Sequence, residues 1–298
     1  MTICEIARAK INLSLTIVGR RPDDYHELES LVTFADFGDR LRLSIGCDCL
    51  VTTSGPFASD IMGPNLLERA VGLLSKIDPG LRLGRIELEK YLPVAAGLGG
   101  GSADAAALLR AVRRANPDRA DVLPWHEVAL RLGADVPMCL SGKPAFVWGI
   151  GERMAPLRRL ASIPAVLVNP RLPLATSSVF GALGARAVVA GRPPPLPPPA
   201  LGDVDSVAAY MGAHGNDLEG VATGLLPVIA EIKLALAALT GCRAAAMSGS
   251  GPTCFGIFAT RSQAREGAAA LAARHPGYWI VQVELAGSSA GPALNSPG

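Results

Sequence analysis

Four glycines fall within five positions at Gly97, Gly99, Gly100 and Gly101, directly ahead of Ser102 and a run of small residues, in the segment PVAAGLGGGSADAAA (93–107). A backbone without side chains reaches positive φ and can turn several N–H groups on one anion, while the start of a following helix adds partial positive charge. The chemistry this suits is the capture of phosphate, which makes a nucleotide the first candidate ligand. The spacing is not that of a Walker A loop, because Gly101 runs into Ser102 with no lysine between them. It also fits the dinucleotide fingerprint poorly, since the third glycine is contiguous and no acidic residue closes a strand about 20 residues on. Taken alone, the loop is equally well a plain strand-to-helix turn.

Three other segments supply what a bound phosphate would need in order to react. In ARAKINLSL (7–15), Lys10 lies on an apolar alternating strand. It shares parity with Arg8 and Ser14, so the plain account is a solvent-facing side chain. In LGADVPMCL (132–140), Asp135 follows Gly133 amid Ala134, Val136, Pro137 and Met138. It is either a helix N-cap or a partly desolvated functional carboxylate, and the segment by itself supports both. SGSGPT (248–253) is a second glycine turn between two strand-like runs, and a hairpin connection would account for it. Together and in this order, the four segments provide an anion cradle, a cation, a carboxylate and backbone donors, the separate requirements of phosphoryl transfer.

These residues need elements to hold them. Ile11, Leu13, Leu15 and Ile17 alternate as a strand, and strand-like runs follow at 28–34 and 40–45. Asn65 reads as the N-cap of a helix whose stripe of Leu66, Ala70, Leu73, Leu74 and Ile77 stops at Asp78-Pro79-Gly80. A strand over 84–90 precedes the glycine loop, a helix from Ser102 to Asn116 follows it, and Pro124 opens a short helix ending at Gly133. After residue 155 the pattern resets, with a strand at 163–168 and a helix near 176–184. GRPPPLPPPALG (191–202) reads as an extended surface connection. Helices resume beyond it, with Asn216, Asp217 and Glu219 read as a structural helix start. The chain ends as strand (243–247), turn (248–252), strand (253–258), helix (260–274) and strand (278–285). The organisation expected is an N-terminal lobe over 1–155 that carries the glycine loop, a second lobe over 156–285, and a frayed tail over 286–298.

Composition narrows the function classes. The 298 residues are 49% hydrophobic, with a mean hydropathy of +0.32. No apolar stretch approaches the roughly 18 to 20 residues of a membrane span. Lys10, Arg20 and Arg21 interrupt any signal-peptide core, so a soluble, cytoplasmic protein is expected. A formal charge of +2 gives no extended basic field for nucleic acid and favours small-molecule partners. The six cysteines lack metal-finger spacing and read as buried free thiols.

PVAAGLGGGSADAA resembles the signature loop of the galactokinase, homoserine kinase, mevalonate kinase and phosphomevalonate kinase superfamily, the GHMP kinases. AKINLSL, RRPDDYHELESLVTFADFGDRL, NLLERA, GADVPMCLSGKPAFVWGIGE, NDLE and MSGSGPTCFGIF extend the resemblance, in order, over nearly the whole chain. Within the family they are most similar to the kinases of the non-mevalonate isoprenoid route that act on a cytidylyl-methylerythritol, and DDYHELESL is the most specific of them. The resemblance implies an α+β fold of two lobes, the first like ribosomal protein S5 domain 2 and the second ferredoxin-like. It implies ATP-dependent phosphorylation of the 2-hydroxyl of that substrate, with Lys10 and Asp135 in the catalytic positions. Pro93, Val94, Ala95, Ala96, Gly97, Leu98, Gly99, Gly100, Gly101, Ser102 and Ala103 would form the ATP loop, with Asn65 near the adenine and the Ser102 hydroxyl a contact for Mg²⁺. Tyr25 would stack on the cytosine, His26 would read its edge, and Phe180 would close the opposite face. Asn12, Thr176, Gly249 and Gly251 would line the rest of the substrate site. Without the resemblance, Tyr25 and His26 read as turn residues and Phe180 as helix core. The chain departs from the commonest family pattern by reading Ser-Ala-Asp at 102–104 where many members have Ser-Ser-Asn. Rivals within the family are kinases of homoserine, mevalonate or a sugar, and a rival of another class is a catalytically silent nucleotide-binding regulator.

Overall fold

The computed structural model describes residues 1–61, 65–157, 159–188 and 193–286. Its frame is one long strand. β1 (Thr2–Asn12) and β2 (Thr16–Arg20) both lie antiparallel against β3 (His26–Ser44), which runs for 19 residues. The sequence predicts a single strand through Ile17 and a break between 34 and 40. The structure instead breaks after Asn12 and continues β3 through the polar residues. The reason is the environment of those residues. Gly38 lies so close to β1 that a Cβ there would sit 2.1 Å from the Ala7 carbonyl oxygen, and Asp39 is fully buried in an ion pair with Lys90.

β4 (Leu50–Ser54) leads into α1 (Leu66–Ile77), where the Asn65 side chain caps the helix as its sequence predicts, accepting from Glu68 N–H at 2.8 Å. β5 (Arg85–Glu89) runs antiparallel to β3 and parallel to β4. α2 (Gly100–Ala115) begins two residues earlier than expected, because Gly99 takes the left-handed φ of 64° that sets the helix start. Its alanines at 103, 105, 106, 107 and 111 are all buried. Small side chains let the helix lie close on the sheet and fix where the glycine loop ends.

α3 (Trp125–Leu132) and the short α4 (Val136–Ser141) follow, then the hairpin of β6 (Ala145–Gly149) and β7 (Arg153–Pro156), with β6 paired to β3. β8 (Ile163–Asn169) is buried throughout. α5 (Thr176–Ala182), α6 (Val204–His214), α7 (Glu219–Leu225) and α8 (Val228–Ala237) precede the hairpin of β9 (Cys242–Met247) and β10 (Cys254–Phe258). α9 (Arg261–Arg274) and β11 (Trp279–Leu285) close the described chain. The strand order β4-β5-β3-β11-β8-β10-β9 makes one continuous mixed sheet, joined across its middle where Ala35 of β3 pairs with Leu285 of β11.

The proline-rich run from 193 to 200 carries neither helix nor strand, as expected, and Leu201 then docks by main-chain bonds to Ala161 and Arg159. Residues 191–192 and 287–298 lie outside the described residues. The cysteines are free as expected but not all buried. Cys139 and Cys254 are buried and Cys242 half-buried, while Cys4, Cys47 and Cys49 are exposed; the latter two lie on the connection from β3 to β4, away from any core. None of the described helices is long and apolar enough to cross a membrane.

Candidate active site

Two glycine turns far apart in sequence interlock. A Cβ on Gly97 would sit 2.3 Å from the Ser248 carbonyl oxygen and 2.9 Å from Gly251 N, and the φ there is +73°. Only glycine fits. The contact is bonded as well as tight, since Thr253 N–H donates to the Ala96 oxygen at 3.3 Å and Ser248 Oγ donates to the Gly97 oxygen at 3.0 Å. Gly249 and Gly251 are also left-handed, with φ of 56° and 80°. The second turn is fastened from behind by Asn216, whose Nδ2 donates to the Met247 oxygen at 2.9 Å and the Gly249 oxygen at 2.8 Å. Asn216 is therefore not the cap of α7, a position that falls to Leu218, while Asp217 accepts from Ile17 N–H at 2.7 Å.

At the loop's other end α2 has no side-chain cap and no acidic residue in its first turn. Ala103 N–H finds the Gly99 oxygen at 2.9 Å. The amides of Gly100, Gly101 and Ser102 precede that first intrahelical bond and face out of the helix end. A Cβ on Gly101 would meet nothing within 4 Å, so the first turn of the helix is open at that position. Pro93, Ala96, Leu98 and Ala103 are buried, Val94 and Ala95 are exposed, and Ser102 is half-buried.

Lys10 and Asp135 meet beside this loop. Lys10 N–H donates to the Leu98 oxygen at 2.9 Å, and a Cβ on Gly99 would lie 3.3 Å from Lys10 Cβ and Cε. Lys10 Nζ donates to Asp135 Oδ2 at 2.7 Å, with the two side chains 10% and 36% exposed. The solvent-facing reading of Lys10 is thus corrected, its strand parity being reset by a bulge between Arg8 and Lys10. Asp135 precedes α4 but makes no side-chain capping bond, which leaves its carboxylate to Lys10. Asn12, one strand repeat on, is 4% exposed. Its Nδ2 donates to Ser30 Oγ at 2.7 Å, while its Oδ1 has no partner and lies 3.4 Å from where a Gly249 Cβ would be.

The remaining expected residues form separate groups. The Thr176 and Ser250 hydroxyls are 2.9 Å apart. The His26 and Phe180 rings lie 5.1 Å apart, tilted by 43°. Burial, then the Arg20 guanidinium, holds the His26 imidazole below its ordinary pKa, with the Asp24 carboxylate partly opposing them. Tyr25 is 58% exposed on the turn between β2 and β3. Asn65 is occupied as the α1 cap.

The sequence reading took Asn216 for a helix cap, missing its hold on the second turn, and missed a buried charge cluster under the loop. Lys90 Nζ donates to Asp39 Oδ2 and, at 2.8 Å, to Asp104 Oδ2. Asp39 Oδ1 accepts from the main-chain amides of Tyr91 and Leu92 at 2.6 and 2.8 Å, which pins the chain leaving β5. Burial, then the neighbouring Asp39 carboxylate, pushes Asp104 up to about 8. Burial works against the Lys90 ammonium, but the Asp104 and Asp39 carboxylates outweigh it and raise its pKa. A lysine five residues beyond the start of a short strand and just ahead of a glycine loop is the one signal that could have found this cluster.

The profile described as GHMP kinases N terminal domain matches residues 65–143, and that of the GHMP kinases C terminal matches 199–277. The chain belongs to the GHMP kinase family. Its relatives include the protein of Rhodopseudomonas palustris named 4-diphosphocytidyl-2-C-methyl-D-erythritol kinase, 47% identical over 94% of this chain and 96% of that one. The protein of the same name from Parvibaculum lavamentivorans is 46% identical over 96% of this chain and 98% of its own. Among solved structures, a 4-(cytidine 5'-diphospho)-2C-methyl-D-erythritol kinase superposes with a TM-score of 0.74 at 34% identity, covering 96% of this chain and all (100%) of the other. The homoserine kinase of Cytophaga hutchinsonii, at 19% identity and a TM-score of 0.66, shares the GHMP kinase fold alone.

Proposed function

We propose that this GHMP kinase transfers the γ-phosphoryl group of ATP to the 2-hydroxyl of 4-diphosphocytidyl-2-C-methyl-D-erythritol. The observation that carries the reading is the Lys10–Asp135 pair at 2.7 Å packed directly against the glycine loop at Gly99. The reading is supported by the names of the full-length relatives at 46 to 47% identity.

In this reading the amides of Gly100, Gly101 and Ser102 hold the phosphates, and the loop from Pro93 to Ala103 shapes the nucleotide site beside Asn65. The acceptor hydroxyl is a weak acid. Asp135 therefore orients it and accepts its proton as the new O–P bond forms and the β–γ bridging bond breaks, leaving ADP. The Lys10 ammonium balances Asp135 and the charge developing at the transferring group. Among the described residues no group of three or more His, Cys, Asp or Glu side chains could hold a metal ion. The half-buried Ser102 hydroxyl, at the helix end beside the glycine amides, is the side chain that would contact a Mg²⁺ carried by the nucleotide. When bound, the ion neutralises charge on the phosphates.

Base recognition falls to Tyr25, His26 and Phe180. Tyr25 offers an exposed ring face, and the lowered pKa of His26 favours the neutral imidazole, which presents one donor and one acceptor. Asn12 Oδ1, Thr176 and the turn at Gly249 and Gly251 line the site of the alcohol. The nucleotide lobe over 1–155 and the second lobe over 156–285 enclose the two substrates, and the enzyme works in the cytoplasm. The test is ADP release from ATP with cytidylyl-methylerythritol, homoserine, mevalonate and galactose as acceptors. Turnover with the first alone is expected. Comparable turnover with another acceptor would reassign the substrate, and none with any, despite ATP binding, would leave a silent regulator.

A further inference from the structure

A concavity of about 960 Å³ lies apart from the glycine turns, and of the loop residues only Ala103 reaches it. It sits over β1, β3, β4 and β5, on the side of the sheet where Ile6 and Arg8 of β1 stand beside Arg40 and Arg42 of β3. Its volume is that of a small-molecule site. Six cationic side chains line it against four carboxylates. Arg42 is balanced by Glu87 at 3.7 Å, and Arg110 and Arg114 by Glu5 at 2.8 and 2.9 Å. Half-buried Arg8 has no hydrogen-bond or ion-pair partner among the described residues.

Beside Arg8 the lining is aromatic. The Phe37 and Tyr91 rings meet edge-on at 6.4 Å, Arg40 lies 5.1 Å over the Tyr91 ring, and Phe37 is braced by Trp279 at 6.0 Å. A guanidinium without a partner at the edge of an aromatic floor suits one kind of ligand. Its anionic group forks onto Arg8, and its flat body covers Phe37 and Tyr91.

We propose that this concavity is a second ligand site, separate from the kinase centre, for a small anion with a flat aromatic body. Arg8 binds the anionic group, and the Phe37–Tyr91 pair binds the ring. The surplus of positive lining decides the sign of the ligand, and the volume of the site bounds its size. A second nucleotide or a carboxylated aromatic metabolite would share this chemistry.

The test titrates the full-length protein, saturated with ADP, with 1-naphthyl phosphate, 1-naphthoate and uncharged 1-naphthol, following heat. One site for the phosphate is expected to persist under ADP. Naphthol should bind far more weakly, and Arg8→Ala should weaken the phosphate at least about tenfold, the loss of one charge-assisted bond. Arg8→Lys should recover part of the loss, and Arg8→Ala should leave Tm and ATP turnover as in the unmodified enzyme. Equal binding of naphthoate and naphthyl phosphate would assign the site to anions generally, and preference for the phosphate would assign it to phosphorylated ligands. Binding that ADP abolishes, that naphthol matches, or that Arg8→Ala leaves unchanged would overturn the proposal, as would no binding at all. None of these outcomes depends on which alcohol the kinase centre accepts.

Discussion

Lys10 Nζ and Asp135 Oδ2 are 2.7 Å apart, yet only the carboxylate is substantially open, at 36% exposure against 10%. That asymmetry suits a division of labour in which the acid touches the substrate and the ammonium supports it from within. Asp135→Asn keeps the shape and removes the proton acceptor. It should lower kcat by at least about 100-fold, the usual worth of a positioned base, while ADP affinity measured by calorimetry stays unchanged. Near-normal turnover in that variant would remove the role given to Asp135. Asp104 makes a different prediction. Its pKa is pushed up to about 8 by burial and by Asp39, so between the ordinary carboxylate range and pH 8 the folded state binds the proton that the unfolded chain releases. Stability from this group is therefore present at low pH and lost as pH rises through about 8. Tm should fall between about pH 5 and 8.5 in the unmodified protein and fall less in Asp104→Asn; identical slopes would show that the side chain keeps no proton.

At the scale of elements, the two glycine turns are one unit. Gly97→Ala would force a Cβ to 2.3 Å from the Ser248 oxygen, so it should lower Tm and weaken both substrates. Gly101→Ala meets no atom within 4 Å and should hold or slightly raise Tm, yet raise the KM for ATP by placing a methyl group beside the helix amides. An unaltered KM would place the phosphates elsewhere. The same pair explains what was legible in the sequence. α1 and α9 carry their own start signals, Asn65 and Thr260, each accepting from the amide three residues on. The glycine loop is a local cluster and could be read as one. The full length of β3 could not, because Asp36, Gly38 and Asp39 look like a turn until β1 and Lys90 are brought against them. The bonds of Asn216 to the second turn and the carboxylates that meet Lys90 were hidden for the same reason. The partners lie 31 to 33 residues away for Asn216 and 51 and 14 away for Lys90, and no local pattern encodes such pairs.

At the scale of the whole molecule, the strand that carries Lys10 depends on the far half of the chain. Ala9, Ile11, Leu31 and Ala35 of the first half share one core cluster with Ile163, Phe255, Val283 and Leu285 of the second. The seam between them is also bonded, since Glu284 N–H donates to Asp36 Oδ1 at 2.9 Å and Ala286 N–H to the Phe34 oxygen at 3.0 Å. Ile11 lies between Lys10 and Asn12, so the apolar residue that anchors this strand packs in a core that β8, β10 and β11 complete. Lobes joined in this way should unfold together. The expected result is a single transition at which calorimetric and van't Hoff enthalpies agree and fluorescence of Trp125, Trp148 and Trp279 coincides with loss of circular dichroism. A fragment ending at residue 157 would expose that shared core and should not fold alone. Two resolved transitions, or a folded fragment that still binds ADP, would mean that the nucleotide lobe is self-sufficient and that the seam serves only to align Asp135 with the alcohol.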